Sequence, residues 1–271
     1  MPCPSVPAMP VRLVASDLDG TLLGPDGRMS PRTVAAVRAA CEAGIVVVAA
    51  TGRSHHTALP RVAAAEVLRY LVCSNGASLY DVQAGALIER HPIARAALPL
   101  VVDVLRNKLA DASFGWEVHD GFGWESAFLE IRPDVETALA SIVPRLGSPW
   151  PDAVTKLFVG HGELQRDHLL DAVTPHLVDG LVATCSGARF VEITGAGVDK
   201  AFGVARLCAR LGIAADEVLA IGDHLNDVAM LRWAGRGVAM GGGHPVAVAA
   251  ADELAPSNAE DGAASVLESL V

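Results

Sequence analysis

The chain has 271 residues, of which 51% are hydrophobic and 19% are charged, and its formal net charge is −10 at pH 7. This composition is typical of a globular protein and excludes a disordered chain. The negative charge argues against nucleic acid as a partner, because phosphate backbones bind basic surfaces. No apolar run approaches the roughly 20 residues of a membrane-spanning helix, so we predict a soluble protein that does not bind a membrane.

The first ten residues contain four prolines and no basic and apolar signal region. This pattern predicts a flexible leader at 1–10 and argues against export. The five cysteines are odd in number, scattered and without C-x-x-C spacing. We therefore predict reduced, mostly buried thiols and a cytoplasmic location.

A short, largely apolar run at 11–16 ends abruptly at Asp17 and Asp19, which Gly20 and Thr21 follow. Such a run is typical of a strand buried on both faces of a parallel sheet. Ligands of open α/β sheets bind beyond the carboxyl ends of these strands. The alternative is an ordinary polar turn, since Asp and Gly both favour turns.

The next elements predict a compact βαβ unit. Ser30, an N-cap followed by proline, begins a helix that stops at Gly44. The buried strand at 45–50 then ends in Thr51, and the distance from Asp17 leaves no room for an inserted domain. A helix at 54–69, interrupted at Pro60, and a strand at 70–74 that ends in Ser74-Asn75-Gly76-Ala77 follow in turn.

From about Val82 aromatic residues appear and the strands become amphipathic. The patterns predict a helix at 94–111, strands at 113–119 and 124–131 joined by a hairpin at Asp120-Gly121, a helix at 134–143, a strand at 153–160, a helix at 163–173, and strands at 180–185 and 189–194. Helices together with paired strands indicate a separate α+β cap domain, which we place at 82–186.

Buried strands then return. Asp199 caps a predicted helix at 200–211, and a strand at 218–221 ends in Gly222-Asp223-His224-Leu225-Asn226-Asp227. A helix to about Gly235 and a strand at 237–240 follow. The predicted fold class is therefore α/β: a Rossmann-like, doubly wound parallel-sheet core formed by 11–81 and 187–271, with the cap inserted.

Each polar strand end has a purely structural explanation. Thr51 could be an N-cap, and Asp223 and Asp227 could stabilise a helix dipole. Lys200 is harder to explain, because a cation at a helix N-terminus opposes the dipole, and it is one of only three lysines against 18 arginines. A solvated surface lysine is the alternative to an anionic ligand. The coincidence of all these groups favours one site for an anion.

The motifs D-L-D-G-T, T-G-R, the lone Lys200 and G-D-x-x-N-D resemble, in order and spacing, those of the haloacid dehalogenase superfamily of phosphohydrolases. The long segment between Thr51 and Lys200 resembles the large cap of its Cof-like, type IIB branch. Ser74–Ala77 and Ser257–Gly262 agree with the same branch. The resemblance covers about 11–271 and is strongest in the core.

The resemblance implies a role for each motif residue. Asp17 would be the nucleophile that forms an aspartyl-phosphate, and Asp19 the general acid and base. The implied cofactor is Mg²⁺, held by the Asp17 carboxylate, the Asp19 backbone carbonyl and the Asp223 carboxylate. The remaining assignments are phosphate binding by Thr51, Gly52 and Lys200, support of Lys200 and the metal by Asn226 and Asp227, and substrate contacts by Arg53, Asn75 and Lys156, with Trp116 and His119 as weaker candidates.

Asp19 favours a phosphatase, because the ion-pumping ATPases of the superfamily carry threonine at that position. A phosphomutase is one alternative, but the mutases that we compare have a cap between the first two motifs. The other is a non-catalytic ligand-binding or regulatory protein, which would have lost a motif residue. We predict a Mg²⁺-dependent phosphatase of small phosphorylated metabolites, with sugar phosphates as the expected class. The sequence leaves monomer or homodimer open.

Overall fold

A computed structural model describes residues 10–66, 68–135, 137–186 and 188–271. The predicted leader therefore lies outside the described residues, except for Pro10. Among the helices that the structure describes, none is long and apolar enough to cross a membrane. Three of the four described cysteines are buried, as predicted.

Strands and helices alternate along most of the described chain. The strands are β1 (Leu13–Ser16), β2 (Val46–Ala50), β3 (Tyr70–Cys73), β4 (Ser78–Asp81), β5 (Ala86–Arg90), β6 (Ser113–Val118), β7 (Gly121–Glu125), β8 (Ala140–Val143), β9 (Lys156–Gly160), β10 (Leu181–Thr184), β11 (Val191–Gly195), β12 (Val218–Gly222), β13 (Arg236–Met240) and β14 (Glu253–Ala255). The α-helices are α1 (Pro31–Glu42), α2 (His55–Val62), α3 (Ala97–Lys108), α4 (Ser126–Ile131), α5 (Arg166–Val173), α6 (Lys200–Leu211), α7 (Val228–Trp233), α8 (Pro245–Val248) and α9 (Gly262–Glu268).

Eight strands form one sheet, the core sheet, in the order β14-β13-β12-β1-β2-β3-β4-β5. The strands from β14 to β3 are parallel, whereas β4 and β5 add an antiparallel edge. The predicted α/β core is confirmed. Because β12, β1, β2 and β3 are neighbours, the polar segments that follow them meet at one edge of the sheet.

Helices cover both faces of the core sheet, since side chains alternate along each strand. Val14 of β1 packs with residues of α1 and α9, whereas Leu13 and Ala15 pack with residues of α6 and α7. Each fully buried Val or Leu side chain contributes about 1.5–3 kcal/mol relative to an exposed one. The result is a rigid platform behind the polar edge.

Six strands form a second sheet, the cap sheet, in the order β10-β11-β9-β6-β7-β8. Its pairs are antiparallel except β7 with β8. One face packs on α3 and α5, for example through Leu157 and Val159 of β9. The alternate residues occupy the other face, which is polar at one end and aromatic at the other: Glu117, Phe122, Trp124, Lys156, Phe158 and Glu192.

Two predicted elements of the cap are wrong. The strand predicted at 124–131 ends at Glu125, and the residues that follow form the helix α4. From this helix Phe128 packs against Trp124 and Phe158. The helix predicted at 134–143 is replaced by the edge strand β8, which pairs in parallel with β7. The β-branched residues Ile142 and Val143 suit this pairing, which no local pattern reveals.

The limits predicted for the cap, 82 and 186, do not coincide with the sheets. β5 lies beyond residue 82 but belongs to the core sheet, and β11 lies beyond residue 186 but belongs to the cap sheet. Both are half-polar strands whose partners are set by tertiary pairing. If each strand is assigned to the domain of its sheet, both predicted limits of the cap move several residues toward the C-terminus.

Gly76 packs closely against the backbone at the start of α6. It has φ +92°, and a Cβ there would lie 1.8 Å from the Asp199 carbonyl oxygen. Gly85 also has positive φ, +62°, but a Cβ there would have nothing within 4 Å. We expect Gly85→Ala to lower the free energy of unfolding by about 1 kcal/mol through backbone strain alone, and Gly76→Ala by at least about 3 kcal/mol.

Urea unfolding of both variants checks this expectation. Equal losses for the two substitutions would show that the close approach of Gly76 to Asp199 does not constrain the fold.

Candidate active site

Lys200 lies at the centre of the polar edge. It is the first residue of α6, fully buried, and Asp199 caps the helix by accepting a hydrogen bond from the Phe202 amide at 2.8 Å. Its ammonium donates to Asp17 Oδ1 and to Asp227 Oδ1, both at 2.6 Å. The charge of this buried cation is therefore balanced by two carboxylates of the protein itself. One of them, Asp17, lies at the polar edge of the sheet.

Asp227 uses both of its carboxylate oxygens inside the protein. Oδ1 accepts from Lys200, and Oδ2 accepts from the backbone amides of Asp223 and His224, each at 2.9 Å. Asp227 is completely buried. This arrangement orients Lys200 and the turn after β12.

Asp17, Asp223 and Asp227 form a carboxylate cluster whose nearest oxygens all lie within 4.8 Å of one another. Gly20 closes the loop after β1 over this cluster with φ +81°, and a Cβ there would lie 2.4 Å from Asp223 Oδ2. The glycine of the first motif is therefore required both by backbone conformation and by the space next to Asp223.

The cluster holds more negative than positive charge. Burial raises the pKa of Asp17 well above its ordinary value, although Lys200 opposes the shift. Burial and then the charge of Asp227 raise the pKa of Asp223 to about 6. Burial alone would lower the pKa of Lys200, but Asp17 and Asp227 outweigh it and keep the pKa above its ordinary value. Lys200 thus stays charged.

These residues fit a divalent cation. Mg²⁺ prefers oxygen ligands, and a cation among the carboxylates would offset the repulsion that raises their pKa values. Because both oxygens of Asp227 are already used, Asp17 and Asp223 are the side chains that remain as ligands. That pair agrees with the predicted carboxylate ligands.

Arg53 binds the side chain of Asp19 through two parallel hydrogen bonds, Nε to Oδ2 at 2.7 Å and Nη2 to Oδ1 at 2.6 Å. This pair raises the pKa of Arg53, with the hydrogen bond to Asp19 as the largest cause. The sequence predicted that Arg53 contacts the substrate, whereas here it holds the predicted acid and base. Both side chains remain partly exposed, at 31% and 46%, so the pair can open.

Thr51 and Gly52 form the loop after β2. The buried Thr51 hydroxyl accepts from the Arg53 amide at 3.1 Å, and its proton is not donated to any group in the described chain. It is therefore available to a phosphoryl oxygen. The Gly52 carbonyl accepts from the ammonium of Lys156, which joins this loop to the cap sheet.

A buried chain of hydrogen bonds continues from Lys156 into the core. Lys156 pairs with Glu192 Oε1 at 2.7 Å, and Glu192 Oε2 accepts from Asn75 Nδ2 at 3.2 Å. Asn75 Oδ1 accepts from Asn226 Nδ2 at 3.1 Å. Asn226 Oδ1 is left as a buried acceptor without a partner in the described chain. Because a carboxylate fixes the first amide, the orientation of both amides follows from it.

A cavity of about 450 Å³ connects the two sheets. Asp17, Asp19, Gly52, Arg53 and Asn226 line it from the core, and the cap contributes Lys156 and residues that we did not predict: Glu117, Phe122, Trp124, Arg132, Phe158 and Glu192.

The missed residues had a signal that strand alternation offers. Phe158 lies two residues after the predicted Lys156 on β9, and Phe122 and Trp124 are two residues apart on β7, so each pair could be placed on one face once the strands were known. Arg132 follows α4, which we had predicted as a strand, so no pattern pointed to it. Trp116 and His119, the weaker candidates, do not line the cavity.

The comparison with known families agrees with this geometry. Residues 14–267 match the haloacid dehalogenase-like hydrolases, and the chain belongs to this family. The resemblance stated from the motifs is thus confirmed, including the Cof-like branch. The protein is a phosphoric monoester hydrolase of that family.

Two relatives match nearly the whole chain. The 5-amino-6-(5-phospho-D-ribitylamino)uracil phosphatase YcsE of Bacillus subtilis is 30% identical, over 95% of this chain and 94% of its own. The pyridoxal phosphate phosphatase YbhA of Escherichia coli is 29% identical, over 96% of this chain and 99% of its own.

Solved structures share the fold. SMU.1108c of Streptococcus mutans superposes with a TM-score of 0.83 at 22% identity, covering 96% of this chain and 98% of its own. BT1666 of Bacteroides thetaiotaomicron superposes with a TM-score of 0.80 at 24% identity, covering 99% of this chain and 97% of its own.

The raised pKa of Asp223 predicts an effect of pH on stability. Because the pKa rises from 3.8 to about 6 on folding, metal-free protein loses stability as pH increases from about 4 to 6. At pH 7 without metal, Asp223→Asn removes the repulsion, so we expect the variant to be more stable than wild type by on the order of 1–2 kcal/mol. Added Mg²⁺ should stabilise wild type and not the variant.

Thermal unfolding with chelator or Mg²⁺, at pH 5 and pH 7, measures these effects. Asp103→Asn, an exposed carboxylate on α3, is the matched control and should change neither. Equal stabilisation of wild type and Asp223→Asn by Mg²⁺ would contradict the ligand assignment.

Proposed function

We propose that the protein is a Mg²⁺-dependent phosphatase of small phosphorylated metabolites that works through an aspartyl-phosphate on Asp17. The observation that carries the proposal is the ion pair of Asp17 with the buried Lys200, beside the carboxylate cluster and at the end of the cavity. A cavity of about 450 Å³ suits a small molecule. The names of the two relatives, phosphatases of a ribitylaminouracil phosphate and of pyridoxal phosphate, support the substrate class.

In the first step, an Asp17 carboxylate oxygen attacks phosphorus and the bond between phosphorus and the ester oxygen breaks. Lys200 favours the ionised form of Asp17, against the effect of burial, and offsets the charge of the phosphoryl group. The Thr51 hydroxyl donates to a phosphoryl oxygen. Asp19 gives its proton to the departing alkoxide, which leaves as an alcohol.

Arg53 must release Asp19 before this proton transfer, because a protonated carboxyl cannot keep both hydrogen bonds that Asp19 accepts. A phosphate monoester offers Arg53 another anionic partner in the same cavity. Substrate binding therefore frees the Asp19 carboxylate, which takes up a proton from water or from the phosphate monoester monoanion and then gives it to the leaving oxygen.

In the second step, Asp19 takes a proton from water, whose oxygen attacks phosphorus. The bond between phosphorus and Asp17 breaks, and inorganic phosphate leaves. Asp17 and Asp223 would hold Mg²⁺, which supplies positive charge for the phosphoryl oxygens when it is bound. Asp227 fixes Lys200 throughout.

The two alternatives fit less well. A non-catalytic binding protein has no use for the buried Asp17–Lys200 pair, which costs desolvation to form. A phosphomutase is disfavoured by the cap position that the motifs indicate. Sugar phosphates as substrates and the cytoplasmic location stay predictions from the sequence, and so does the choice between monomer and homodimer.

Substitution of the two carboxylates tests the mechanism. Asp17→Asn should abolish turnover of every substrate with Mg²⁺, because the nucleophile is lost. Asp19→Asn should lower kcat for an alkyl phosphate by roughly 10²–10⁴-fold. With p-nitrophenyl phosphate, whose leaving group needs no proton, the first step should be affected less than the second.

Phosphate release and burst kinetics measure these rates. Asp26→Asn, an exposed carboxylate on the same loop, is the control and should keep wild-type kinetics. Near-normal turnover by Asp17→Asn would rule out the mechanism.

A further inference from the structure

The cap end of the cavity is aromatic. Phe122, Trp124, Phe158 and Phe190 line it. The Phe122 and Trp124 rings stack at 5.4 Å with an interplanar angle of 14°, and Phe190 meets Phe158 edge to face at 5.2 Å. Such rings bury apolar surface and prefer the faces and edges of other planar groups.

Arg132 lies among these rings and is 8% exposed. Its Nε and Nη2 donate to the two oxygens of Asp134 at 2.8 and 2.6 Å, and the guanidinium lies 4.9 Å from the centre of the Phe190 ring. Nη1 is buried and has no hydrogen-bond partner in the described chain. An unsatisfied buried donor is unfavourable, and a ligand acceptor would satisfy it.

The other polar side chains of the cap wall are largely committed to one another. Lys156 is held by Glu192 and the Gly52 carbonyl, and Ser74 donates to Glu117 Oε1, whereas Glu117 Oε2 is a buried acceptor without a partner in the described chain. A sugar presents hydroxyls around its whole ring and needs several donors and acceptors. Among the described residues of this wall, Arg132 Nη1 is a buried donor without a partner next to flat apolar surface, and this combination suits a planar ring that carries an acceptor.

We propose that the leaving group of the substrate contains a planar heteroaromatic ring, which packs on the aromatic wall and accepts a hydrogen bond from Arg132 Nη1. The inference rests on the proposed phosphatase function and narrows its substrate class. It differs from the sugar phosphates expected from the sequence, because the Lys156 ammonium is held by Glu192 and the Gly52 carbonyl.

Three phosphate monoesters of primary alcohols separate the contributions. Pyridoxine 5′-phosphate has a ring with acceptors, benzyl phosphate has a ring without them, and ribose 5-phosphate has no aromatic ring. We expect kcat/KM to fall in that order, with at least tenfold between pyridoxine 5′-phosphate and ribose 5-phosphate. A kcat/KM for ribose 5-phosphate equal to or above that for benzyl phosphate would overturn the proposal.

Arg132→Lys keeps the positive charge and removes the planar fork. We expect it to lower kcat/KM for pyridoxine 5′-phosphate by roughly tenfold or more and to leave benzyl phosphate nearly unchanged. Arg106→Lys is the matched control, because Arg106 also pairs with a carboxylate, Glu125, and lies over an aromatic ring at 5.1 Å, but does not line the cavity. It should not change the ratio of the two substrates.

An equal loss for both ring substrates in Arg132→Lys would show a structural role only and would overturn the hydrogen bond. The comparison of substrates on wild-type protein needs no variant to fold. p-Nitrophenyl phosphate with Mg²⁺ separates the two proposals. If it is hydrolysed but the three esters do not follow the expected order, only the proposal of a heteroaromatic leaving group is refuted. If no ester is hydrolysed, the proposed phosphatase function is refuted.

Discussion

The site depends on one buried ammonium between two carboxylates. Removing Lys200 from water is costly unless it is paired, and losing one partner of such a pair typically costs about 3–5 kcal/mol. Asp17 follows β1 and Asp227 follows β12, so the same cation joins two neighbouring strands of the core sheet. Asp227 also holds the amide of Asp223. Asp17 as the proposed nucleophile, Lys200 and the loop of Asp223 therefore cannot be moved independently.

A second buried lysine, Lys156, joins the cap sheet to the core in the same way. Lys156 of the cap sheet pairs with Glu192 and donates to the Gly52 carbonyl of the core. Through Asn75, the same network reaches Asn226 beside the carboxylate cluster. Two of the three lysines in the chain are thus buried ion-pair centres, one beside the proposed nucleophile Asp17 and one between the two sheets.

The core could be predicted because its signals are local. Apolar runs, the Ser30 and Asp199 caps and the polar residues after each strand are enough to place the motif residues on one sheet edge from the sequence alone. The cap could not, because its strands are amphipathic and their partners are distant in sequence. The positions of Arg132 and β8 depend on tertiary pairing, which no local pattern predicts. The same is true of the ion pair between Arg53 and Asp19.

The central claim is that Asp17 attacks phosphorus, so that transfer to water takes two in-line displacements. The configuration at phosphorus tests it most directly, with a thiophosphate ester whose phosphorus is chiral through sulfur and two oxygen isotopes, and with water that carries the third oxygen isotope, so that the inorganic thiophosphate released is chiral. Two displacements each invert the phosphorus, and the account therefore predicts overall retention. Inversion would mean direct attack by water, and would contradict the assignment of Asp17 as the nucleophile.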